Sequence, residues 1–275
     1  MVAILLATYN SEKYIAIQLY SILAQSYKDW QLYVRDDGSN DGTVDILNQF
    51  SSLYPNIHIQ EDNVKHRGAK NGFFYLLENV DADYYMFCDH DDFWLPNKIE
   101  CSLEEMKKQE KQHQGTPVCV YTDAVVVNES YEILSKSLWH LSKIKPSMSE
   151  KMPYLLMFNP VTGCTMLFNQ LAKKCLLPVT ESVPMHDVWV AYSVVHTSGV
   201  LAHIKQSTLL YCQHGNNVVG ANDVSISYIG RKMKTLRQVI ADNKKVFLFI
   251  NETYKIGKAR YMLSKVLYSI LRIVQ

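Results

Sequence analysis

The chain has no G-x-G-x-x-G turn after its first apolar run and no G-x-x-x-x-G-K-[ST] loop, which counts against a nicotinamide dehydrogenase and a P-loop NTPase. It lacks any C-x-x-C pair. Its six cysteines are scattered, so they are read as reduced core thiols rather than disulfides or a zinc site. Uninterrupted apolar runs are short, such as Val246–Ile250, which excludes a membrane span in the sequence given. The formal net charge is only +1, which argues against a protein that coats nucleic acid over its whole surface. There is no internal repeat and no low-complexity segment. The apolar start Met1–Tyr9 has no basic lead-in and no small-residue cleavage site, so it is read as a first buried strand and not as a signal peptide.

What is present is a globular composition. Of 275 residues, 48% are apolar and 20% charged, enough for a packed core and too apolar for global disorder. The small net charge hides an asymmetry. Residues 230–275 carry eleven Lys or Arg against two acids, a net of +9, and the remainder 17 bases against 25 acids, a net of −8. An acidic body with a basic tail suggests two jobs.

Residues 1–113 alternate strand and helix. Strands are expected at Val2–Thr8, Leu32–Val34, Ile57–Gln60 and Tyr84–Cys88. Helices are expected at Ser11–Gln25 with Ser11 as N-cap, at Thr43–Leu53, at Gly68–Asn79, and from Pro96 to about His113. This rhythm implies a parallel sheet with right-handed crossovers, whose ligands bind beyond the carboxyl ends of the strands. The polar clusters Thr8–Asn10, Asp36–Ser39 and Asp89–Asp92 all lie at such ends and should gather in one crevice. Beyond His113 the expected strands are Val118–Val127, Val161–Asn169, Val200–Lys205 and Thr208–Gln213. Tyr131–Met152 reads as a loop with a helix at its end, and Met185–His196 as a helix. Gly215–Asp223 reads as a polar loop, and Ser225–Phe249 and Lys258–Ile273 as helices. The division expected is a catalytic domain at 1–223, with halves at 1–113 and 114–223, followed by a basic amphipathic helical extension at 224–275.

Asp89, Asp91 and Asp92 repel one another unless a cation is present, and oxygen ligands of this kind suit Mg²⁺ or Mn²⁺. The competing role is helix capping, which is the reading for Asp92. In Asp36-Asp37-Gly38-Ser39-Asn40-Asp41-Gly42-Thr43, either Asp41 or Thr43 is suited to cap the following helix, and Asp37 to accept a ring N–H from a bound base.

Three segments carry a resemblance: Ala7-Thr8-Tyr9-Asn10, the Asp-rich turn just quoted, and Cys88-Asp89-His90-Asp91-Asp92-Phe93-Trp94-Leu95-Pro96. In this order and spacing they resemble the family 2 inverting glycosyltransferases over residues 1 to about 220. Tyr211–Ala221 is similar to the rhamnosyltransferase branch. The resemblance implies an α/β GT-A fold, a mixed, mainly parallel sheet flanked by helices. It implies that Thr8, Tyr9 and Asp37 hold a pyrimidine base, that Arg67 or its rival Lys70 contacts the nucleotide, and that Asp89 touches the ribose or a metal-bound water. Asp91 is the metal contact it implies, with His214 as a further ligand on a mobile loop. Asp187, after His186 where the family commonly has an acid, matches the catalytic base. His186, Trp189, Asn216 and Asn217 are candidates for acceptor or lid contacts. Solvent-facing roles compete for Arg67 and His214, and a helix N-cap for Asp187.

The activity implied is inverting, metal-dependent transfer of a sugar, with L-rhamnose from dTDP-L-rhamnose as the leading donor, to a cell-surface polysaccharide or lipid-linked glycan. Alternatives are a UDP-sugar hexosyl- or N-acetylhexosaminyl-transferase and a non-catalytic sugar-nucleotide-binding subunit. A phosphotransferase is disfavoured because no phosphate cradle is visible. Cations interleaved with apolar residues at 229–272 fit either an anionic membrane or a packed interface, including a second copy. The expected location is cytoplasmic, with peripheral attachment at the cytoplasmic face of the plasma membrane under the first of these readings. No nucleic-acid partner is expected.

Overall fold

The computed structural model describes residues 1–214 apart from 63, 153, 177–182 and 184, together with 247–252 and 255–273. The expected loop at 215–223 and nearly all of the expected helix at 225–249 lie outside the described residues.

The first half is built as its periodicity requires. It runs β1 (Val2–Thr8), α1 (Ile15–Leu23), β2 (Trp30–Asp36), α2 (Thr43–Leu53), β3 (Ile57–Ile59), α3 (Gly68–Asn79) and β4 (Tyr84–Cys88). β1 lies between β2 and β4, and β3 flanks β2, all parallel. Side chains alternate along β1. Val2, Ile4 and Leu6 face one apolar cluster with Ile15, Leu19 and Ile22 of α1, whereas Ala3 and Leu5 face another with Phe73, Leu76 and Leu77 of α3. Both faces are covered, as a parallel strand requires. Each fully buried Leu or Ile there contributes about 1.5–3 kcal/mol.

The second half is β5 (Phe93–Trp94), α4 (Lys98–Gln112), β6 (Val118–Asn128), β7 (Ile133–Ser135), the short helices α5 (Leu138–Leu141), α6 (Pro146–Ser149) and α7 (Tyr154–Met157), a 3₁₀ turn (Gly163–Thr165), β8 (Met166–Asn169), α8 (Gln170–Lys174), α9 (His186–His196), β9 (Val200–Gln213) and α10 (Lys258–Ile273). The sheet order is β3-β2-β1-β4-β8-β6-β9-β5, with β7 beside β6. β8 runs antiparallel to both neighbours, and β9 parallel to β6.

Several expectations change. Ser11 does not cap α1. Its carbonyl accepts from the Tyr14 and Ile15 amides at 2.8 and 2.9 Å, while its hydroxyl turns to Thr8. Asp92 does not cap α4, because its Oδ1 accepts from the Cys212 amide of β9 at 3.2 Å. The strand expected from Val161 begins only at Met166, after the 3₁₀ turn. The two strands expected after Val200 are one, with register shifts opposite Asp123. The stretch expected as a loop from Tyr131 contributes β7 and short helices. All six cysteines are free, although Cys101 and Cys175 are half-buried rather than in the core.

Candidate active site

The loops after β1 and β2 are stitched together by polar side chains. The Asn10 amide donates to Ser39 Oγ at 2.8 Å, and the Asn40 amide to Asn10 Oδ1 at 3.0 Å. The Ser11 amide donates to Thr43 Oγ1 at 2.8 Å, and the Gly42 amide to Glu12 at 2.9 Å. Asp36 accepts the Gly38 and Ser39 amides and so makes the turn, in which Gly38 adopts φ +89°. Asp41 takes the Thr43 amide at 3.0 Å, but the N-cap position of α2 is held by Gly42, so neither Asp41 nor Thr43 is the cap expected. Thr8 is buried in this seam. Tyr9 stands out of it, 43% exposed, with His66 at 5.6 Å edge to face.

Asp37 sits beneath this rim. Its Oδ1 accepts from Arg35 Nη1 at 2.7 Å and from the Arg67 amide at 2.8 Å, and its Oδ2 from the Gly68 amide at 2.9 Å. Burial would raise its carboxyl, but the Arg35 guanidinium and these amides outweigh it and hold the group below the usual carboxylate range. Arg35 is itself buried, and its Nε donates to Asp62 at 3.1 Å. Asp62 also forms an ion pair with Arg67, whose Nε lies 2.7 Å from its Oδ2. Arg67, half-buried, places its guanidinium 5.3 Å from the Tyr75 ring centre. Lys70 points elsewhere, donating to the Val183 carbonyl at 2.9 Å and tying α3 to the approach of α9.

The end of β4 carries the acidic ridge. β1 and β4 are neighbours, so Asp89 and Thr8 leave the same sheet edge, about 5 Å apart in the strand-to-strand direction. Burial and the charges of Asp91 and Asp187 push the Asp89 carboxyl well up. Burial and the charges of Asp91 and Asp89 do the same to Asp92, whose Oδ2 has no hydrogen-bond partner. Asp91 Oδ2 lies 2.7 Å from His214 Nε2, although the two are separated by 123 residues. The His214 ring stacks on Tyr14 at 4.8 Å.

The crowded carboxylates of Asp89, Asp91 and Asp92, with the orphaned buried Oδ2 of Asp92, fit a hard divalent ion such as Mg²⁺ or Mn²⁺. The ligand-type atoms of Asp89, Asp92 and Cys164 lie within 4.8 Å of one another. Burial and the neighbouring acids push the Cys164 thiol well up, and soft sulfur suits a hard dication less well than the carboxylates do.

Asp187 enters from the opposite side of the sheet order, on the first turn of α9. Its Oδ1 accepts the Val188 amide at 2.7 Å. Burial pushes the carboxyl up to about 6, against the Val188 and Gly163 amides that lower it. The Asp187 charge acts on Asp89, so the start of α9 lies near the end of β4.

His186 does not face an acceptor. Its ring is buried between Phe73 at 4.2 Å and Phe87 at 4.6 Å, with neither nitrogen hydrogen-bonded. Burial lowers it to about 3, so it is neutral. An apolar wall leaves no room for the contact expected of it. Trp189, also expected at the acceptor, packs against Tyr192 at 5.4 Å and donates its indole N–H to the Leu176 carbonyl at 2.9 Å. Asn216 and Asn217 lie outside the described residues.

The sequence pattern described as "Glycosyl transferase family 2" matches residues 3–176, more than half of the chain. The chain is a family 2 glycosyltransferase. It is 29% identical over 234 residues to the dTDP-rhamnosyl transferase RfbG of Shigella flexneri, covering 79% of this chain and 74% of that one. Its fold is similar to that of S. aureus TarS residues 1–349 in complex with UDP-GlcNAc (TM-score 0.57, 14% identity, 78% of this chain and 59% of that one). It is equally similar to the mannosyltransferase PcManGT of Pyrobaculum calidifontis in complex with GDP-Man and Mn²⁺ (TM-score 0.58, 13% identity, 78% and 58%). This glycosyltransferase thus has the GT-A fold and spans less than two thirds of either solved chain.

The sequence reading of this glycosyltransferase missed the Arg35–Asp62 pair. A charged residue closing the apolar run Leu32-Tyr33-Val34 was a usable signal for Arg35. Nothing local marks Asp62, because its role exists only through Arg35 and Arg67.

Proposed function

We propose that this enzyme transfers a sugar, with inversion, from a nucleoside diphosphate donor to a hydroxyl of a cell-surface polysaccharide or lipid-linked glycan, and that the donor is dTDP-L-rhamnose. The observation that carries the transfer reading is the Asp187 carboxylate, raised to about 6 by burial and within electrostatic reach of Asp89. A base so raised takes a proton well near neutral pH. The likeness to RfbG supports the rhamnose donor.

In this reading Tyr9 stacks on the base and Asp37 accepts its N3–H, with Arg35 and Arg67 keeping Asp37 ionised and aimed. Asp91, with Asp89 and His214 beside it, would hold a Mg²⁺ or Mn²⁺ ion, which when bound neutralises the departing diphosphate. Asp187 removes the proton of the acceptor hydroxyl as the anomeric carbon is attacked on the face opposite the leaving group. It also stabilises positive charge growing on the sugar ring, by analogy with glycoside hydrolysis.

A UDP-sugar is the second reading, since uracil offers Asp37 the same N3–H as thymine. Thermal-shift measurements with dTDP-rhamnose, UDP-glucose, UDP-GlcNAc and GDP-mannose, with and without Mn²⁺, separate the two. Stabilisation by dTDP-linked ligands alone supports rhamnose, and a preference for UDP-linked ones overturns it.

A further inference from the structure

α10 is anchored to the body along one side only. Tyr268 stacks on Phe158 at 4.1 Å and 16°, with Tyr154 at 5.4 Å. Its hydroxyl accepts the Lys145 amide at 3.4 Å. Tyr261 lies 5.2 Å from Phe247 and joins a cluster that reaches Phe74 of α3, Leu156 of α7 and Tyr192 of α9. At about 100° per residue the two tyrosines fall within about 20° of each other on the helix.

The other side is apolar and open. Met262, Leu263, Val266, Leu267 and Ile270 are 47–69% exposed. They fill an arc of about 140° centred opposite the tyrosines. Five large apolar side chains on one helix face exceed the scattered apolar exposure normal for a soluble surface. Arg260 borders the arc on one edge and Lys258 on the other, while the Lys265 ammonium turns back to donate to the Tyr261 hydroxyl at 3.3 Å. The span Lys258–Ile273 contains no acidic residue.

Charge decides the occupant. A second copy of this helix laid on the first would set cationic edges against cationic edges with no acid to relieve them, which disfavours a pair. An anionic bilayer meets both features at once, the arc entering the acyl boundary and the cations resting at the phosphates. The helix is about 24 Å long, and no described helix is long and apolar enough to cross a membrane, so this is a surface contact and not a span.

We propose that α10 seats the enzyme on an anionic lipid surface, with its apolar arc buried and Lys258 and Arg260 at the headgroups. The inference is independent of which sugar is transferred. The test is flotation of the full-length protein with vesicles of phosphatidylcholine alone or mixed equally with phosphatidylglycerol, at low and high salt. The wild type should float with the mixed vesicles and release in high salt. Leu263→Asp with Leu267→Asp should lower partitioning by about tenfold or more. Lys258→Gln and Arg260→Gln together should lower it by about fivefold per cation and weaken the salt effect. Circular-dichroism melting should be unchanged in both variants. If the aspartate variant does not fold, the glutamine variant carries the test alone.

Failure of the wild type to float at low salt overturns the proposal, as does equal flotation of the folded variants. A wild-type dimer that the aspartate variant converts to a monomer, without flotation, assigns the face to a second copy and overturns it too. A monomer that never floats assigns the cover to the rest of this chain, with the same consequence.

Discussion

Asp187 is held in tension between two effects. Its place at a helix start, with amides around it, favours ionisation, yet burial wins and raises it to about 6. The sign of the consequence follows from linkage. The folded-state value lies above the unfolded 3.8, so the group's contribution to stability is fully present below pH 3.8 and lost as pH rises through about 6. At pH 7 the ionised carboxylate therefore costs up to about 3 kcal/mol. Asp187→Asn should raise the melting temperature at pH 7 while cutting transfer by about 10²–10⁴-fold with donor binding retained, read by calorimetry and product assay. In the wild type kcat/KM should fall as pH drops through about 6, and a flat profile between pH 5 and 7 would remove the base role. Arg35 is the opposite case, a charge already compensated. Arg35→Met leaves Asp37 and Asp62 facing each other without it and should destabilise the fold by about 3–5 kcal/mol in urea titration.

The elements that place Asp187 are few, and each leans on a neighbour. A Cβ on Gly163 would stand 2.6 Å from His186 Nε2, and His186 cannot retreat between Phe73 and Phe87. The 3₁₀ turn and the start of α9 therefore interlock. Gly163→Ala should cost about 1–3 kcal/mol in stability and lower kcat more than the KM for donor, because the first turn of α9 moves. Steady-state kinetics beside a thermal melt would show this split, and an unchanged kcat would break the link. A continuous strand from Val161 was the wrong expectation because apolar periodicity reports burial and does not distinguish a strand from the 3₁₀ turn at Gly163–Thr165. The bounds of α2, α3 and β4, by contrast, were legible, since Asp-Gly-Thr, Arg-Gly and Cys-Asp mark them locally.

At the scale of the molecule the charges of the site are a liability that a dication would relieve. Mn²⁺ should raise the melting temperature of the whole protein by mass action, and chelation should reverse the shift and remove transfer. Asp91→Asn should abolish most of the increment in a differential-scanning experiment, and an undiminished increment would move the ion away from Asp91. The family, the parallel half and the acidic ridge were all readable from the chain alone, because each rests on short-range order: strand ends, turn residues and helix starts within a few positions of one another. Only the tertiary structure decided that Arg35 bridges Asp37 and Asp62, that His214 meets Asp91 and that His186 is walled in by two phenylalanines. These are contacts between residues far apart in sequence, and their partners are chosen by packing in three dimensions, for which a linear pattern holds no record.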